Sequence, residues 1–400
     1  MLASVTKKII LITFSVIFRI FKVRILTNHM FGSTGHTFLE LQYIFLISKK
    51  LDYKKYNYYL FTNRTKFTSE LKKIYPSFFY TNKQKPIFKL IIINKYFEYI
   101  LNIILSFNNN FTYDVGLGHF TNVGHFTNDY KKMRSGSDGF SRYIDYYRIK
   151  SANKKKFYNE AIFKNQSHIL RKKLGIKAKD KIVNIHLKNL SGNSCAKKTE
   201  PQTYIQTIKY IKKRGYKIIF IGREKMPNIF KKYQIFDYAN SQFSNIKNDL
   251  LITYTSSFNI CFASGIYSLA NYLNKPLLYL GSWHLNIQSH YSKCVYFPAV
   301  LKLEKNNKYV NYNEQIRKVV SDEVVFKGFN FKKDKIKVIN PTSNDILYSF
   351  KELENLVLKN YKKTSLQKKF NKKFKAHPQE YSQSIVSKKF LKKYYSKIFT

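Results

Sequence analysis

The sequence predicts an α/β protein of two domains, each built on a parallel sheet. Three observations lead there. Short apolar runs alternate with helix-length segments: "KIVNIHL", "YKIIFIG", "FNICFA" and "PLLYLG" stand in succession with helical stretches between them. Successive strand–helix–strand units imply parallel strands with helices on both faces. The chain has 400 residues, enough for two domains of ordinary size, and 44% of them are apolar, too many for a disordered chain. We place the domains at 1–160 and 161–345, with a helical tail at 346–400.

In the first domain "VRILT" (Val23 to Thr27) reads as a strand. The loop "MFGSTGH" follows, then a helix from about Thr37 to Lys50. "YNYYLFT" reads as the next strand, and the amphipathic stretch from Ile87 to Phe107 as a helix. From Asn108 to Lys156 periodicity weakens and Gly, Asn and Ser increase, as in an interdomain segment with long loops. This segment holds the direct repeat "GHFTNVGHFTN", which sets His119 and His125 six apart. That spacing suits neither one helix face nor a chelating loop, so we read a local duplication rather than a metal pair.

The second domain is clearer. "KIVNIHL" (Lys181 to Leu187) is a strand. Thr199 can cap a helix with Pro201 in its first turn, and Gly215 can end it. "YKIIFIG" and "IFDYA" are strands, "NIKNDLLITYTSS" a helix, and "FNICFA" a strand. A helix from Gly265 to Asn274 and the strand "PLLYLG" complete the alternation. The tail from Lys359 is rich in Lys, yet Leu366, Phe370, Phe374, Ile385, Phe390, Leu391, Tyr394 and Tyr395 recur along it. A solvated charged tail does not explain those aromatics. Helices packed on the body do.

The formal net charge is +49, from 72 Lys and Arg against 23 Asp and Glu. Such a field attracts phosphates of nucleic acid or an anionic membrane surface. The lysines are spread along the whole chain instead of forming a patch. This favours compositional bias plus a membrane surface over dedicated nucleic-acid binding. The start, "KKIILITFSVIF", has ten apolar-type positions from Ile9 to Phe18 before Arg19 and Lys22 interrupt it. That is too short to span a bilayer, and no small-residue cleavage site follows. A basic helix at 7–22 lying on the inner membrane face and a buried first helix both fit. Cys195, Cys261 and Cys294 are odd in number and lack metal-ligand spacing, as for reduced thiols in a cytosolic protein.

Ligands of parallel α/β sheets bind at the carboxyl ends of strands. Three strand ends carry suitable groups: His186 and Lys188, then Gly222 and Arg223, then Ser264-Gly265 opening a helix. A helix N-terminus offers free N–H groups and partial positive charge, and glycine lets a phosphate approach the backbone. Together these make a diphosphate seat. Taken singly, Ser264-Gly265 can be only a cap and His186 a satisfied core histidine. Asp237 and Tyr238, at another strand end, can line a nucleotide pocket. In the first domain His36 closes the "GSTGH" loop at a strand's carboxyl end. A histidine there can take a proton from an acceptor hydroxyl, with Glu40 one helical turn on as second base or orienting partner. Turn chemistry with a capping histidine is the alternative.

G-x-x-x-x-G-K-[ST], G-x-G-x-x-G and G-x-S-x-G are all absent. Their absence argues against a P-loop nucleotidase, a dinucleotide dehydrogenase and the usual serine-hydrolase elbow.

The order of several segments resembles a group of bacterial glycosyltransferases of GT-B type linked to surface polysaccharide synthesis. "FGSTGHTFLE" is similar to the family's N-terminal Gly-His loop, and "LGIKAKDKIVNIHLKN" to its His-Val-Arg-Asp strand. "RGYKIIFIGR", "IFDYANS", "NDLLITYTSSFNICFASGIYSLANYLNKPLLYLGS" and "INPTSNDILYSFKEL" follow in the family's order. "LQKKFNKKF" and "IVSKKFLKKYYSKI" resemble its closing helices. The chain departs from the family at His186-Leu187-Lys188-Asn189, where Lys keeps the charge of Arg without its two-pronged grip.

The resemblance implies two Rossmann-like domains facing a cleft, the first for the acceptor and the second for a nucleotide-sugar, with the last helices crossing back to the first domain. It implies transfer of a sugar from that donor to a surface polysaccharide or lipid-linked glycan, in a cytoplasmic protein peripheral on the inner membrane. Positive groups and a helix N-terminus would stabilise the departing diphosphate with no metal and no cofactor, and no D-x-D occurs. His186, Lys188, Gly222, Arg223, Asp237, Tyr238, Ser264 and Gly265 would bind the donor, and His36 with Glu40 would serve catalysis. A non-catalytic basic protein binding nucleic acid or an anionic polymer, and a GT-B-fold sugar-nucleotide epimerase, are the alternatives.

Overall fold

A computed structural model describes residues 21–27, 57–63, 65–79, 89–94, 112–114, 158–188, 199–262, 264–281, 293–311, 335–358, 361–373 and 385–399, with isolated positions among 6–20, 37–41 and at 96. These fall into two compact units, one up to Ile162 and one from Phe163 on. His36, Glu40, His119, His125 and Cys195 lie outside the described residues, as does most of the predicted helix at 37–50.

The first unit holds a four-stranded sheet of β1 (Val23–Thr27), β2 (Asn57–Asn63), β3 (Lys89–Ile93) and β4 (Thr112–Asp114), in the order β3-β2-β1-β4. Every pairing is parallel. Two expectations are corrected. The predicted helix at 87–107 is not helical over Lys89–Ile93, because these five residues pair with β2 as β3. Bulky β-branched side chains suit a pleated surface better than a helix. Thr112–Asp114, within the supposed loop segment, adds to β1 as an edge strand.

The helix α1 (Lys66–Phe79) escaped the periodicity reading. Its start is marked by two threonines in a reciprocal cap. The Thr68 N–H donates to Thr65 Oγ1 at 3.0 Å, and the Thr65 N–H donates to Thr68 Oγ1 at 2.9 Å. Its Phe67 and Phe79 meet Phe38, which is helical and fully buried.

The second unit starts on α2 (Glu160–Lys173), which straddles the boundary. Its strands are β5 (Ile182–His186), β6 (Lys217–Phe220), β7 (Phe236–Asp237), β8 (Phe258–Phe262), β9 (Leu277–Leu280), β10 (Cys294–Phe297) and, later, β13 (Ile385–Val386). They form one parallel sheet in the order β13-β10-β9-β8-β5-β6-β7. Chain order reverses between β5 and β8, which makes a doubly wound sheet with a switch point at that pair. The strands β5, β8, β9 and β10 are buried at every position, which is why they read as unbroken apolar runs. One polar pair interrupts them. Asn184 and Asn259 are register partners on β5 and β8, and the Asn184 amide donates to Asn259 Oδ1 at 2.9 Å. A one-residue slip would leave both amides buried without this partner, so the pair fixes the register at the switch point.

Three helices cross between these strands: α3 (Ile205–Lys213), α5 (Ile246–Thr255) and α6 (Tyr267–Tyr272), with the short α4 (Asn228–Lys231) before β7. Asn245 caps α5, accepting from the Asn248 N–H at 3.0 Å. Gly215, at φ +77, follows α3 as expected. The capping role given to Thr199 is corrected. A 3₁₀ turn (Pro201–Tyr204) precedes α3, its cap is Glu200, and no side chain closes it. Thr199 is tied to Lys188 instead. Cys261 and Cys294 are both buried, and burial pushes the Cys261 thiol up.

An antiparallel pair, β11 (Val300–Leu303) and β12 (Ile336–Ile339), leads to α7 (Ser343–Val357), opened by a Thr342–Asp345 capping box. The lysine-rich tail folds as α8 (Ser365–Lys373) and α9 (Lys388–Ile398). Phe390, Leu391, Tyr394 and Ile398 of α9 are buried, and β13 joins the edge of the second unit's own sheet.

Candidate functional site

Strand order brings three remote segments together. His186 ends β5, Ser264 follows β8, and the chain after β6 turns at Gly222 beside them. His186 is buried. Its Nδ1 lies 3.1 Å from Ser264 Oγ, and its Nε2 lies 3.4 Å from Glu224 Oε2. The imidazole thus presents one ring nitrogen to the serine hydroxyl and the other to the carboxylate. Ser264 Oγ in turn accepts from the Ile266 N–H at 3.3 Å.

Lys188 stands two residues past β5, and its Nζ is 3.7 Å from Glu224 Oε1. Thr199 holds this position from across the intervening segment. Its hydroxyl donates to the Lys188 carbonyl at 2.9 Å, and its N–H donates to the same oxygen at 3.1 Å. The Glu224 carboxylate therefore bridges His186 and Lys188 and also accepts from the Arg223 N–H at 3.3 Å. Burial alone would raise its pKa. The His186 contact, the charge of Lys188 and the Arg223 N–H together outweigh burial and hold it down at about 2.

Gly222 makes the arrangement possible. It sits at φ +119, and a Cβ there would lie 2.5 Å from His186 Cδ2 and 3.3 Å from Glu224 Oε2. Only a residue without a side chain lets the imidazole lie against this turn.

The structure thus assembles His186, Lys188, Gly222 and Ser264, and it adds Glu224, which the sequence reading missed. An acid two positions past a strand-ending glycine, in a chain with 23 acids against 72 bases, is the signal that points to it. The remaining predicted residues are placed differently. The Arg223 guanidinium turns to Ser244 and to Asp249 Oδ2, at 3.2 Å from the latter. Tyr238 is fully buried, and its hydroxyl donates to Asp249 Oδ1 at 2.8 Å. It packs in the core beside α5. Burial and the Asp249 charge push its pKa up. Asp237 accepts from the Asn240 side-chain amide at 2.8 Å, a local turn contact. The helix after Gly265 is a correction as well. It spans only Tyr267–Tyr272 and has no side-chain cap, so its dipole is small. Gly265 instead accepts the Ser268 hydroxyl at its carbonyl, 2.6 Å away.

A cavity of about 360 Å³ lies in the same unit, lined by Thr199, Tyr204, Phe262, Lys337, Asn340 and others. Thr199 and Phe262 connect it to the Lys188 and Ser264 strand ends. The buried Tyr204 hydroxyl has no hydrogen-bond partner among the described residues. No group of three or more His, Cys, Asp or Glu that could hold a metal occurs among the described residues.

No family model matches the chain, and it has no significant match among curated proteins. Several solved structures are similar to it, among them the following. ADP-heptose LPS heptosyltransferase II of E. coli gives a TM-score of 0.41 at 10% identity, covering 85% of this chain and 99% of that one. A glycosyl transferase family 9 protein from Veillonella parvula gives 0.44 at 11% identity, over 76% and 95%. E. coli heptosyltransferase WaaC with ADP gives 0.33 at 10% identity, over 64% and 86%.

Proposed function

We propose that this chain is a metal-independent glycosyltransferase that moves a sugar from a nucleotide-sugar to a surface polysaccharide or lipid-linked glycan. The observation that carries the reading is the meeting of His186, Lys188, Gly222 and Ser264 at the carboxyl ends of adjacent parallel strands, at the switch point of a doubly wound sheet. The ordered resemblance of the segments in sequence supports it, as does the neighbouring cavity with its unpartnered Tyr204 hydroxyl. In this reading His186, Lys188, Ser264 and Gly265 hold the donor diphosphate. Arg223, Asp237 and Tyr238 shape the site from behind. The first domain (1–160) binds the acceptor and the second (161–345) the donor. His36, oriented by Glu40, takes the acceptor proton.

A panel of nucleotide-sugars, titrated while thermal unfolding is followed, tests this. A specific donor at about a hundred times its Kd should stabilise by about 2.7 kcal/mol, and His36→Ala should bind that donor without turning it over. No shift with any nucleotide, together with steeply salt-dependent RNA binding, would replace the enzyme by the basic binding protein. Product from donor alone would indicate the epimerase.

The proposed location is the inner membrane surface. The residues described among 6–20 are helical and exposed, and their apolar members Ile9, Val16, Ile17 and Ile20, with Phe21, stand out of the fold at 41–67% exposure. Lys7, Lys8, Arg19 and Lys22 flank them in sequence, the composition of a helix that lies on anionic lipid. No described helix is long and apolar enough to cross a membrane. Ile17→Asp with Ile20→Asp is expected to abolish co-sedimentation with phosphatidylglycerol vesicles. Unchanged sedimentation would remove this segment from membrane binding.

A further inference from the structure

We propose that a cleft between α7 and α9 is a binding site for a phosphate-bearing ligand whose ring stacks on Tyr348. The cleft measures about 570 Å³, within the range of small-molecule sites. On α7, Tyr348, Lys351 and Glu352 line it at spacings that share one helix face. On α9, Lys388, Lys389 and Lys392 face them.

The charges there are one-sided. Among the described residues, none of the four ammonium groups lies within ion-pair distance of a carboxylate, whereas Lys188, Lys217 and Lys393 elsewhere do. The one acid in the lining pairs with none of these ammonium groups. Glu352 is buried, and its oxygens are taken by the Tyr361 hydroxyl at 2.6 Å, the Gln367 amide at 3.0 Å and the Lys388 N–H at 2.9 Å. Three of the lysines meet ring faces: Lys351 stands 5.0 Å from the Tyr210 centroid and 5.7 Å from that of Tyr348, Lys389 stands 5.1 Å from that of Tyr348, and Lys388 stands 4.2 Å from that of Tyr361. A ring quadrupole offsets little of the repulsion among like charges held in a partly buried cleft. A phosphate would offset it directly, with several ammonium donors converging on its oxygens.

Tyr348 supplies the second half of the recognition. It is 52% exposed and stands at the cleft margin between two lysines. An exposed aromatic face beside converging cations suits a ligand that joins a ring to a phosphate, as a phosphorylated sugar does. That chemistry occurs both free and as a lipid headgroup. The proposal does not depend on the strand-end cluster, which shares none of these residues.

Lysine acylation of the full chain, read residue by residue by mass spectrometry, tests it. Glucose 1-phosphate and phosphatidylcholine vesicles containing phosphatidylinositol phosphate serve as the free and membrane-borne probes. One of them, or both, is expected to protect Lys351 and Lys388, and which one does so identifies the source. Lys389→Gln with Lys392→Gln should raise the concentration for half-protection of Lys351 by about tenfold or more, as expected for lost charged hydrogen bonds. Both substitutions are at the surface and leave the core intact. Unprotected lysines with both probes, protection indifferent to the double substitution, or protection only by a single-stranded oligonucleotide would each overturn the proposal.

Discussion

Gly222→Ala is expected to weaken donor binding by about tenfold or more and to destabilise the second unit by several kcal/mol. Two costs combine. The backbone at φ +119 is strained for any L side chain, at about 1–3 kcal/mol. The new Cβ would also meet His186 Cδ2 at 2.5 Å, and such overpacking typically costs about 1–3 kcal/mol more. The yielding group would be the imidazole, so the variant should lose the Ser264–His186–Glu224 alignment as well as stability. The effect has a pH signature. Glu224 is held at about 2, below its ordinary 4.5. Its contribution is therefore fully present above pH 4.5 and lost as pH falls towards 2. A variant that pulls His186 away from Glu224 forfeits that contribution, so its deficit should be largest near neutrality and should narrow in acid. Urea unfolding at several pH values, beside a nucleotide titration, gives both readings. Wild-type stability and affinity would show that His186 does not depend on this glycine.

Glu352→Ala should cost about 3 kcal/mol, because it strips the Tyr361 hydroxyl and the Lys388 N–H of their acceptor and the Gln367 amide of one of its own. The donors come from remote places: Tyr361 after α7, Gln367 on α8, and the N-terminal amide of α9. The Ser387 side chain does not cap α9, so the Glu352 carboxylate is the anion at that helix's start. Burial pushes this carboxyl up, and the hydrogen bonds from Tyr361, Gln367 and Lys388 oppose that, so part of the gain already offsets desolvation. Loss of the carboxylate should free the tail first. Limited proteolysis is expected to cut between 361 and 399 in the variant well before the body of the unit. Equal resistance in variant and wild type would mean that Phe390, Leu391 and Tyr394 hold α9 without help.

The central sheet is legible because burial on both faces leaves little choice of residue. In β5, β8 and β9, "IVNIH", "FNICF" and "LLYL" can only be inner strands or buried helix segments, and their lengths decide for strands. Where burial is partial, the pattern fails. The strand β3 is exposed at Lys89 and half-buried from Ile91 to Ile93, and its isoleucines fit a helical stripe as well as a strand until β2 pairs with it. The edge strand β13 has two residues and no pattern at all. Its neighbour β10 makes it a strand.

The sequence by itself determined the α/β class, the run of inner strands, and the presence of His186, Lys188, Gly222 and Ser264 at strand ends. Those features are local: they depend on periodicity, on the length of apolar runs and on where glycine interrupts them. Only the tertiary structure decided which charges face one another. Arg223 and Glu224 are adjacent in the chain, yet the first turns to Asp249 and the second to His186 and Lys188. Strand order set that division by placing β5 between β6 and β8, so residues separated by dozens of positions became neighbours. The backbone turn at Gly222 then chose the direction of each side chain, a choice that no spacing along the chain encodes.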